Sequence, residues 1–344
     1  MEHMYFFRAD GNATTGAGHL MRCATIATAL AGRLGGKDGI RFVCADDQSA
    51  SLAAQQGFQA VVLGSDYRDM CGELPLWQGL FRNGTEGNVI LVDSYFITDQ
   101  YLMELGKKNC IGVMDDYGSH AYPVDFVINY NAPASQMQYE DLYRGRDIRL
   151  VIGSRYIPVR EQFLHTDYQV RERVHNVLIT TGGGDLDNIA GQIWKLLYNE
   201  QMEFHVVVGQ FGTHIQKMQD LAARHGNLHI HYNVRDMAGL MKECDIAITA
   251  GGSTVYELSA MGVPFICFSY AENQEILTRY IRDSGIAGEA GAWHRDPVGT
   301  GQNLKQLFDR LADSRSLRVA FWEKERDMID GQGAARLAEI LSRL

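Results

Sequence analysis

Three glycine-rich segments of this sequence carry residues that could bind a ligand or activate a water molecule. The first, RADGNATTGAGHLMR at residues 8–22, leaves a predicted strand and enters a predicted helix. Gly16 and Gly18 let the backbone approach a ligand closely, and the start of the helix offers unpaired N–H groups. His19 lies at that start, where the positive end of the helix disfavours the imidazolium form. We therefore expect a neutral imidazole that can serve as a general base.

Two alternatives remain open for this first segment. His19 could cap the helix or bind a phosphate without moving a proton. Arg8 and Asp10, which flank the loop, could form a structural ion pair. A dinucleotide site is not favoured, although Asp46 ends the second predicted strand, because Met21 holds the place of the third glycine. In addition, roughly ten residues replace the tight turn that the dinucleotide fingerprint requires.

The second segment, ITAGGSTVYELSAMGVPFI at residues 248–266, has the form of a strand, a turn and a helix. The strand ends in two glycines, Ser253 and Thr254 open the helix, and Glu257 lies one turn inside it. The N–H groups and hydroxyls of such a turn suit a phosphate, and a carboxylate there could accept hydrogen bonds from a ribose diol. Glu257 could instead be an ordinary solvated helix carboxylate.

The third segment, ITTGGGDLDN, follows another predicted strand, and its three glycines permit close approach of a sugar or phosphate. Asp185 could equally cap the next helix. His229 and His231 alternate on one strand, but no acidic or cysteine partner stands at ligand spacing. We therefore predict no metal site, and with no serine-nucleophile motif in the sequence, hydrolysis would need an activated water.

Short apolar strands alternate with amphipathic helices, which is typical of parallel sheets covered by helices. A polar, charged stretch at residues 158–175 separates two such series, and helices from about residue 304 end the chain. The predicted strands are 5–8, 41–45, 60–63, 89–92, 111–114, 126–128 and 150–152, then 177–180, 205–208, 228–232, 246–249 and 265–268. With 344 residues the chain is long enough for two domains, and the cleft between domains is where small ligands usually bind.

The formal charge of −10 argues against nucleic acid as a partner, because phosphate-backbone binding needs clustered Lys and Arg. A nucleotide is still allowed, since backbone N–H groups can hold an anion. The six cysteines are scattered without a C-x-x-C pair, and we interpret them as buried, reduced thiols. No signal peptide or membrane-spanning run is visible, so we expect a cytoplasmic protein without membrane insertion.

The motifs, taken in order, resemble one known family over nearly the whole chain. They are Arg8-x-Asp10, GAGHLMR, VDSY, MDDY, INYNA, TTGGGD, AGGSTVYE and AENQ. This order resembles the UDP-2,4-diacetamido-2,4,6-trideoxy-β-L-altropyranose hydrolases of pseudaminic acid biosynthesis. The ending IDGQGAARLAEIL is also similar to the related spore-coat polysaccharide proteins.

The resemblance implies an α/β protein of the GT-B fold, with two Rossmann-like domains facing across a cleft. The domains would span residues 1–160 and 170–344, with the last helix able to pack back on the first domain. It further implies that water attacks the anomeric carbon of a UDP-sugar with inversion, without a metal or other cofactor. A GT-B glycosyltransferase that uses the same donor, and a catalytically silent UDP-sugar sensor, are the alternatives.

The resemblance also implies roles for individual residues, with His19 as the catalytic base. Glu257 would hold the ribose, and the turn before it would hold the diphosphate. The implied substrate-binding residues are Arg8, Asp10, Gly16, Gly18, Arg22, Tyr95, Asp115, Asn129, Asn131, Gly183, Gly184 and Asp185. The implied UDP-binding residues are Val234, Met237, Gly252, Ser253, Thr254, Glu257, Asn273 and Gln274.

Overall fold

The chain divides into two compact units, each built around one parallel sheet. The computed structural model describes residues 3–80, 87–164, 166–182, 185, 187–209 and 212–344. Unit 1 contains Met1–Pro158 and Gln332–Leu344, and unit 2 contains Val159–Gly331.

Unit 1 has a seven-stranded parallel sheet in its described residues, in the order β3-β2-β1-β4-β5-β6-β7. Its central strands are buried on both faces, which explains their nearly continuous apolar sequences. The strands are β1 (Tyr5–Ala9), β2 (Ile40–Cys44), β3 (Ala60–Val62), β4 (Val89–Asp93), β5 (Cys110–Met114), β6 (Phe126–Asn129) and β7 (Arg149–Ile152). Between them lie α1 (Gly18–Leu34), α2 (Asp47–Gln55), α3 (Leu74–Leu80), α4 (Asp99–Gly106) and α5 (Tyr139–Leu142).

Unit 2 has a six-stranded parallel sheet in its described residues, in the order β10-β9-β8-β11-β12-β13. The strands are β8 (Asn176–Thr180), β9 (Glu203–Val208), β10 (Leu228–Tyr232), β11 (Ile246–Ala250), β12 (Phe265–Ser269) and β13 (Gly288–Ala292). The helices are α6 (Ile189–Leu197), α7 (Ile215–Ala222), α8 (Met237–Glu243), α9 (Thr254–Met261), α10 (Glu275–Ser284), α11 (Pro297–Asp313) and α12 (Arg315–Met328). The last helix, α13 (Gly333–Leu341), belongs to unit 1 and packs against α1.

Every predicted strand is present, and no strand end is shifted by more than two residues. The sequence did not predict β13, because GEAGA contains no β-branched or aromatic residue and so lacks a strand signal. The strand forms where β12 offers a free edge for pairing. Gly291 within it has φ 123°, a conformation that favours glycine.

Parallel strands direct their carboxyl ends to one edge of each sheet, and this edge collects the loops with polar residues. In unit 1 these loops follow β1, β4, β5 and β6. In unit 2 they follow β8, β10, β11 and β12.

Among the described residues, no helix is both long and apolar enough to cross a membrane. All six cysteines are free, as expected. Cys71 and Cys110 are only half-buried, which corrects the prediction of burial for these two.

Candidate active site

Asn12 organises the loop between β1 and α1. Its side-chain Oδ1 accepts hydrogen bonds from the N–H groups of Thr14 and Thr15, both at 2.9 Å, and its carbonyl accepts one from Gly16 at 2.8 Å. Gly16 has φ 73°, so the glycine is required by the turn itself. Asn12 Nδ2 also donates to Asp46, which caps α2. The loop therefore has a defined shape that brings the chain into α1 just before His19.

His19 lies in the first turn of α1 and contacts a carboxylate at the end of β4. Its Nδ1 is 2.6 Å from Oδ1 of Asp93, whose side chain is fully buried. Burial alone would raise the pKa of Asp93, but the charges of Arg22 and His19 and their hydrogen bonds outweigh it and lower that pKa well below its usual range. An ionised carboxylate can only accept, so Nδ1 carries the proton and Nε2 of the neutral ring is a lone-pair acceptor. Nε2 has no partner among the described residues.

Arg22, one turn further along α1, bridges two carboxylates. It donates to Asp93 through Nε and Nη2, both at 2.6 Å, and to Asp116 through Nη1 at 2.8 Å and Nη2 at 3.1 Å. Burial would lower the pKa of Arg22, but Asp116 and Asp93 raise it well above its usual value. The predicted substrate-binding residue Arg22 thus holds Asp93 in place and keeps it charged.

Asp116 follows β5 and connects α1 with the loops after β4 and β6 at the carboxyl edge of the sheet. Besides Arg22, it accepts hydrogen bonds from Tyr95 Oη and Asn131 Nδ2, both at 2.8 Å. The ring of Tyr95 meets His19 edge to face, with centroids 4.6 Å apart. Two predicted substrate-binding residues, Tyr95 and Asn131, are therefore brought together with His19.

Asp115 and Asn129, two further predicted substrate-binding residues, are buried beneath this edge. Asp115 accepts from Tyr139 Oη at 2.6 Å and from the N–H groups of Tyr117 and Gly118. Asn129 donates to Tyr139 Oη at 2.9 Å and accepts from Asn131. Their contacts shape the loops after β5 and β6.

Arg8 and Asp10 are buried as well, and they form the structural ion pair weighed above as the alternative. Arg8 Nη1 donates to Asp10 at 2.6 Å, and Nε and Nη2 donate to Glu73 at 2.8 and 2.5 Å. The Arg8 side chain is 0% exposed, and Asp10 also accepts from the N–H of Ala45. This network anchors the start of the loop that leads to Gly16, Gly18 and His19.

In unit 2, β11 turns into α9 through Gly251 and Gly252. A Cβ on Gly251 would lie 2.4 Å from Thr278 Cγ2, so only glycine fits there. Among the described residues, no hydrogen bond engages the backbone N–H of Ser253 or Thr254. Ser253 and Thr254 therefore present free N–H donors at a helix N-terminus, as an anion site requires, whereas the N–H of Gly252 donates to the carbonyl of Ala250 at 2.8 Å.

Glu257 lies in the first turn of α9 and pairs with Arg160. Arg160 donates to Oε1 through Nη2 at 2.8 Å and Nε at 3.2 Å, and its guanidinium stacks over Phe163. Burial raises the pKa of Glu257, while the charge and hydrogen bonds of Arg160 oppose the rise. Glu257 is therefore a positioned, half-buried carboxylate, with 14% of its side chain exposed, and not a fully solvated one.

The other predicted UDP-binding residues occupy the same edge of unit 2. Val234 follows β10, and Met237 begins α8. β9 and β8 lie between β10 and β11, so the ends of β10 and β11 are about 14 Å apart along the edge. Asn273 is exposed, and Gln274 Oε1 accepts from the N–H of Tyr270 at 3.0 Å.

Asp185 caps α6, which was the alternative to ligand binding considered for it. Its carboxylate accepts hydrogen bonds from the N–H groups of Ile189 and Ala190 at 2.7 and 2.9 Å. Gly183 and Gly184 lie outside the described residues. Within the described ranges, no group of three or more His, Cys, Asp or Glu is arranged to hold a metal ion. His229 and His231 lie on β10, the edge strand of the second sheet.

Sequence reasoning selected none of Asn12, Asp93, Asp116 and Arg160 as site residues. Asp93 and Asp116 did carry a signal, because each lies at the carboxyl end of a predicted strand, in VDSY and MDDY. Of the two aspartates in MDDY, the prediction chose Asp115 and not Asp116. The two differ in the direction of their side chains, which the sequence does not reveal. Arg160 lies in the charged stretch that was interpreted as a boundary and so carried no signal of its own.

The fold and the segment around α9 define the class of protein. Residues 172–280 match the glycosyltransferase family 28 C-terminal domain. The solved structure of MurG from Acinetobacter baumannii aligns with a TM-score of 0.66 at 15% identity, with 100% of each chain covered. The chain therefore has the GT-B fold, as the family resemblance implied.

Two curated relatives bear the names that the motifs suggested. The chain is 29% identical over 212 residues to the spore coat polysaccharide biosynthesis protein SpsG of Bacillus subtilis, a match that covers 59% of this chain and 58% of that protein. It is 26% identical over 204 residues to the UDP-2,4-diacetamido-2,4,6-trideoxy-beta-L-altropyranose hydrolase of Campylobacter jejuni, covering 58% of this chain and 73% of that one. The resemblance is thus confirmed, although the chain spans less than two thirds of the length of the spore coat relative.

Proposed function

We propose that this protein hydrolyses a UDP-linked sugar, releasing UDP from the anomeric carbon with inversion. The proposed substrate is UDP-2,4-diacetamido-2,4,6-trideoxy-β-L-altropyranose, in line with the name of the Campylobacter jejuni relative. Cytoplasmic action belongs to the same proposal and is supported by the free thiols.

The observation that carries the proposal is the 2.6 Å contact between His19 Nδ1 and the buried carboxylate of Asp93. A carboxylate in this position fixes the tautomer of the ring and stabilises the imidazolium that forms when Nε2 accepts a proton. Half-buried His19 can still be reached by water, since 13% of its side chain is exposed. This is the arrangement that a base for water activation needs.

The proposed reaction is a single displacement. Nε2 of His19 removes a proton from water while the water oxygen bonds to the anomeric carbon. The bond between that carbon and the phosphate oxygen breaks, and its electron pair leaves with UDP. Attack opposite the leaving group inverts the configuration, and the proton on His19 then passes to solvent.

For the leaving group we assign the turn at Gly252, Ser253 and Thr254, where the free N–H groups of Ser253 and Thr254 and the helix dipole favour a diphosphate. Glu257 would accept the ribose hydroxyls, and the segment with Val234 and Met237 would hold uracil. The ends of β10 and β11, the strands that precede the two segments, are about 14 Å apart along the sheet edge, which is consistent with an extended nucleoside diphosphate. Asn273 and Gln274 would contact the diphosphate or the sugar.

The test is release of UDP by the purified protein from the proposed substrate, with water as the sole acceptor. Stoichiometric appearance of UDP and free sugar supports the proposal. Binding of the substrate without turnover, by protein that is correctly folded, would instead indicate a UDP-sugar sensor.

A glycosyltransferase is the second candidate, favoured by the family 28 domain match. It would use the same UDP site and pass the sugar to an acceptor hydroxyl. UDP release that depends on an added acceptor would identify this activity.

A further inference from the structure

The cluster around His19 contains one more negative charge than positive charge. Arg22 contributes one positive charge, and Asp93 and Asp116 contribute one negative charge each. Burial would raise the pKa of both carboxyls, but Arg22 outweighs it and lowers both. With a neutral imidazole the cluster therefore has a net charge of −1.

The other titratable groups that face this cluster do not alter that balance. Burial raises the pKa of the Cys23 thiol well above its usual value, so the thiol stays protonated. Burial likewise raises the pKa of Tyr130 to about 12. The hydroxyl of Tyr95 donates a hydrogen bond to Asp116.

We propose that Asp116 is a positioning residue for the reaction, whose negative charge is balanced only when His19 is protonated and whose carboxylate holds Tyr95 against the His19 ring. The inference rests on the proposed function, because it treats His19 as the base. The inference adds Asp116, in the loop after β5, as a residue that controls the proton affinity of His19.

The geometry gives Asp116 both roles. Arg22 Nη2 lies 3.3 Å from His19 Nδ1 and 3.1 Å from Asp116 Oδ2, which keeps the two groups within about 6 Å of each other. At about 6 Å and an effective dielectric constant of about 40, a unit charge contributes about 1.4 kcal/mol, which changes proton affinity about tenfold.

The carboxylate of Asp116 is also fixed in orientation. Asn131 and Arg22 hold Oδ1, each at 2.8 Å, and Tyr95 Oη binds Oδ2 at 2.8 Å. The ring of Tyr95 is thereby kept at 80° to the imidazole. Because the Tyr95 hydroxyl donates a hydrogen bond to a charged acceptor, Tyr95 positions the imidazole by ring contact and does not donate a proton to the sugar.

The experiment is an NMR titration of the His19 ring nitrogens in the ligand-free protein, with His19→Asn used to assign the signal. Asp116→Asn keeps the size of the side chain and removes its charge. We expect its His19 titration midpoint to lie about one pH unit below that of the wild type, and the acid limb of kcat to move with it. Asp141→Asn, which removes an exposed carboxylate from the same unit, should leave the midpoint unchanged.

An unchanged midpoint in folded Asp116→Asn overturns the proposal. Since the titration needs no substrate, this result is distinct from a failure of the wild type to release UDP, which overturns the proposed function instead. If Asp116→Asn does not fold, Tyr95→Phe carries the test, because it removes only the hydroxyl. We expect a several-fold lower kcat in Tyr95→Phe with an unchanged titration midpoint, and wild-type kcat would overturn the proposal.

Discussion

Arg160 donates two hydrogen bonds to Glu257, and both end on the same oxygen, Oε1. The second oxygen, Oε2, has no partner within the described residues. Arg160 therefore compensates the burial of Glu257 without consuming its capacity to accept hydrogen bonds. Oε2 of Glu257 therefore remains able to accept hydrogen bonds from the ribose hydroxyls of the proposed ligand.

Removing Glu257 should weaken nucleotide binding. Hydrogen bonds to a charged group contribute about 1.5–3 kcal/mol, so we expect Glu257→Ala to lower UDP affinity roughly 10–100-fold. Arg160→Met should weaken it less, because Glu257 remains but loses its orientation. Isothermal titration calorimetry with UDP and with 2′-deoxy-UDP measures both effects, and the preference for UDP should shrink in both variants.

Lys305→Met is the matched control for these variants, since it removes an exposed ion pair with Asp309 in the same unit. It should bind UDP like the wild type. UDP should also stabilise the wild type more than CDP or TDP do in thermal unfolding. Equal affinity of Glu257→Ala and the wild type for UDP would contradict the assigned ribose site.

His19→Asn should lower kcat by roughly 10² to 10⁴-fold, the usual contribution of a positioned base. UDP affinity should barely change, because the proposed nucleotide contacts are all in unit 2. The control is His120→Asn, which also removes an imidazole paired with a carboxylate in unit 1, but one that is exposed. Full activity of His19→Asn would contradict the role of His19 as the base and leave it only a structural role at the start of α1.

Hydrolysis in ¹⁸O-labelled water should place the label on the sugar and leave UDP unlabelled. The reason is that the proposed attack is at carbon, so the water oxygen becomes the anomeric hydroxyl. Mass spectrometry of both products reads this out directly. Label in UDP would indicate attack at phosphorus and would exclude the proposed role of the His19 and Asp93 pair.

Turnover should survive EDTA. The free N–H groups at Ser253 and Thr254 and the positive end of α9 can take the role of a cation at the leaving diphosphate. The measurement compares the rate of UDP release before and after dialysis against the chelator. Loss of activity that Mg²⁺ or Mn²⁺ restores would overturn this prediction.

Glu325 on α12 should make the protein less stable as pH rises. Its side chain is 0% exposed, neither carboxyl oxygen has a well-formed hydrogen bond, and the N–H of Phe265 compensates only weakly. Burial raises the pKa of Glu325 well above its usual value in the folded state. The folded state thus binds the extra proton, so stability is greatest below the unfolded pKa of about 4.3 and falls as pH rises towards the folded pKa.

Glu325→Gln should remove this fall, which can reach about 1.4 kcal/mol per pH unit, and should be more stable than the wild type at pH 8. Urea unfolding between pH 5 and 8 measures the difference. Glu323→Gln, an exposed change on the same helix, should follow the wild-type curve. Parallel curves for Glu325→Gln and the wild type would refute the expectation.

The strands and the loops that carry the site could be predicted, because buried parallel strands leave a strong apolar pattern. β13 could not, since its small residues are recruited by the edge of β12 and not by their own propensity. His19 was found from its place after a glycine loop at a helix start. Its partner Asp93 was not, because contact between residues 74 positions apart depends on the register of β1 and β4.

Arg8 illustrates a different limit. Its position beside the glycine loop makes a ligand contact and a structural ion pair equally compatible with the sequence. The decision depends on Glu73, a buried carboxylate that reaches Arg8 from a short 3₁₀ helix, Met70–Glu73, in a region without a strong pattern. Pairing across such segments is a property of the packed structure alone.

Unit 1 is discontinuous in sequence, because α13 returns to pack on α1, where Arg33 Nε also donates to Ser342 at 3.0 Å. During translation, α1 with His19 and Arg22 is synthesised more than 290 residues before α13. Unit 2 is continuous and can fold as soon as its last strand and helices emerge. The helix that bears the proposed base thus obtains α13 as its packing partner only after the whole of unit 2 has been synthesised, so activity would appear once α13 has emerged and not while unit 1 is first made.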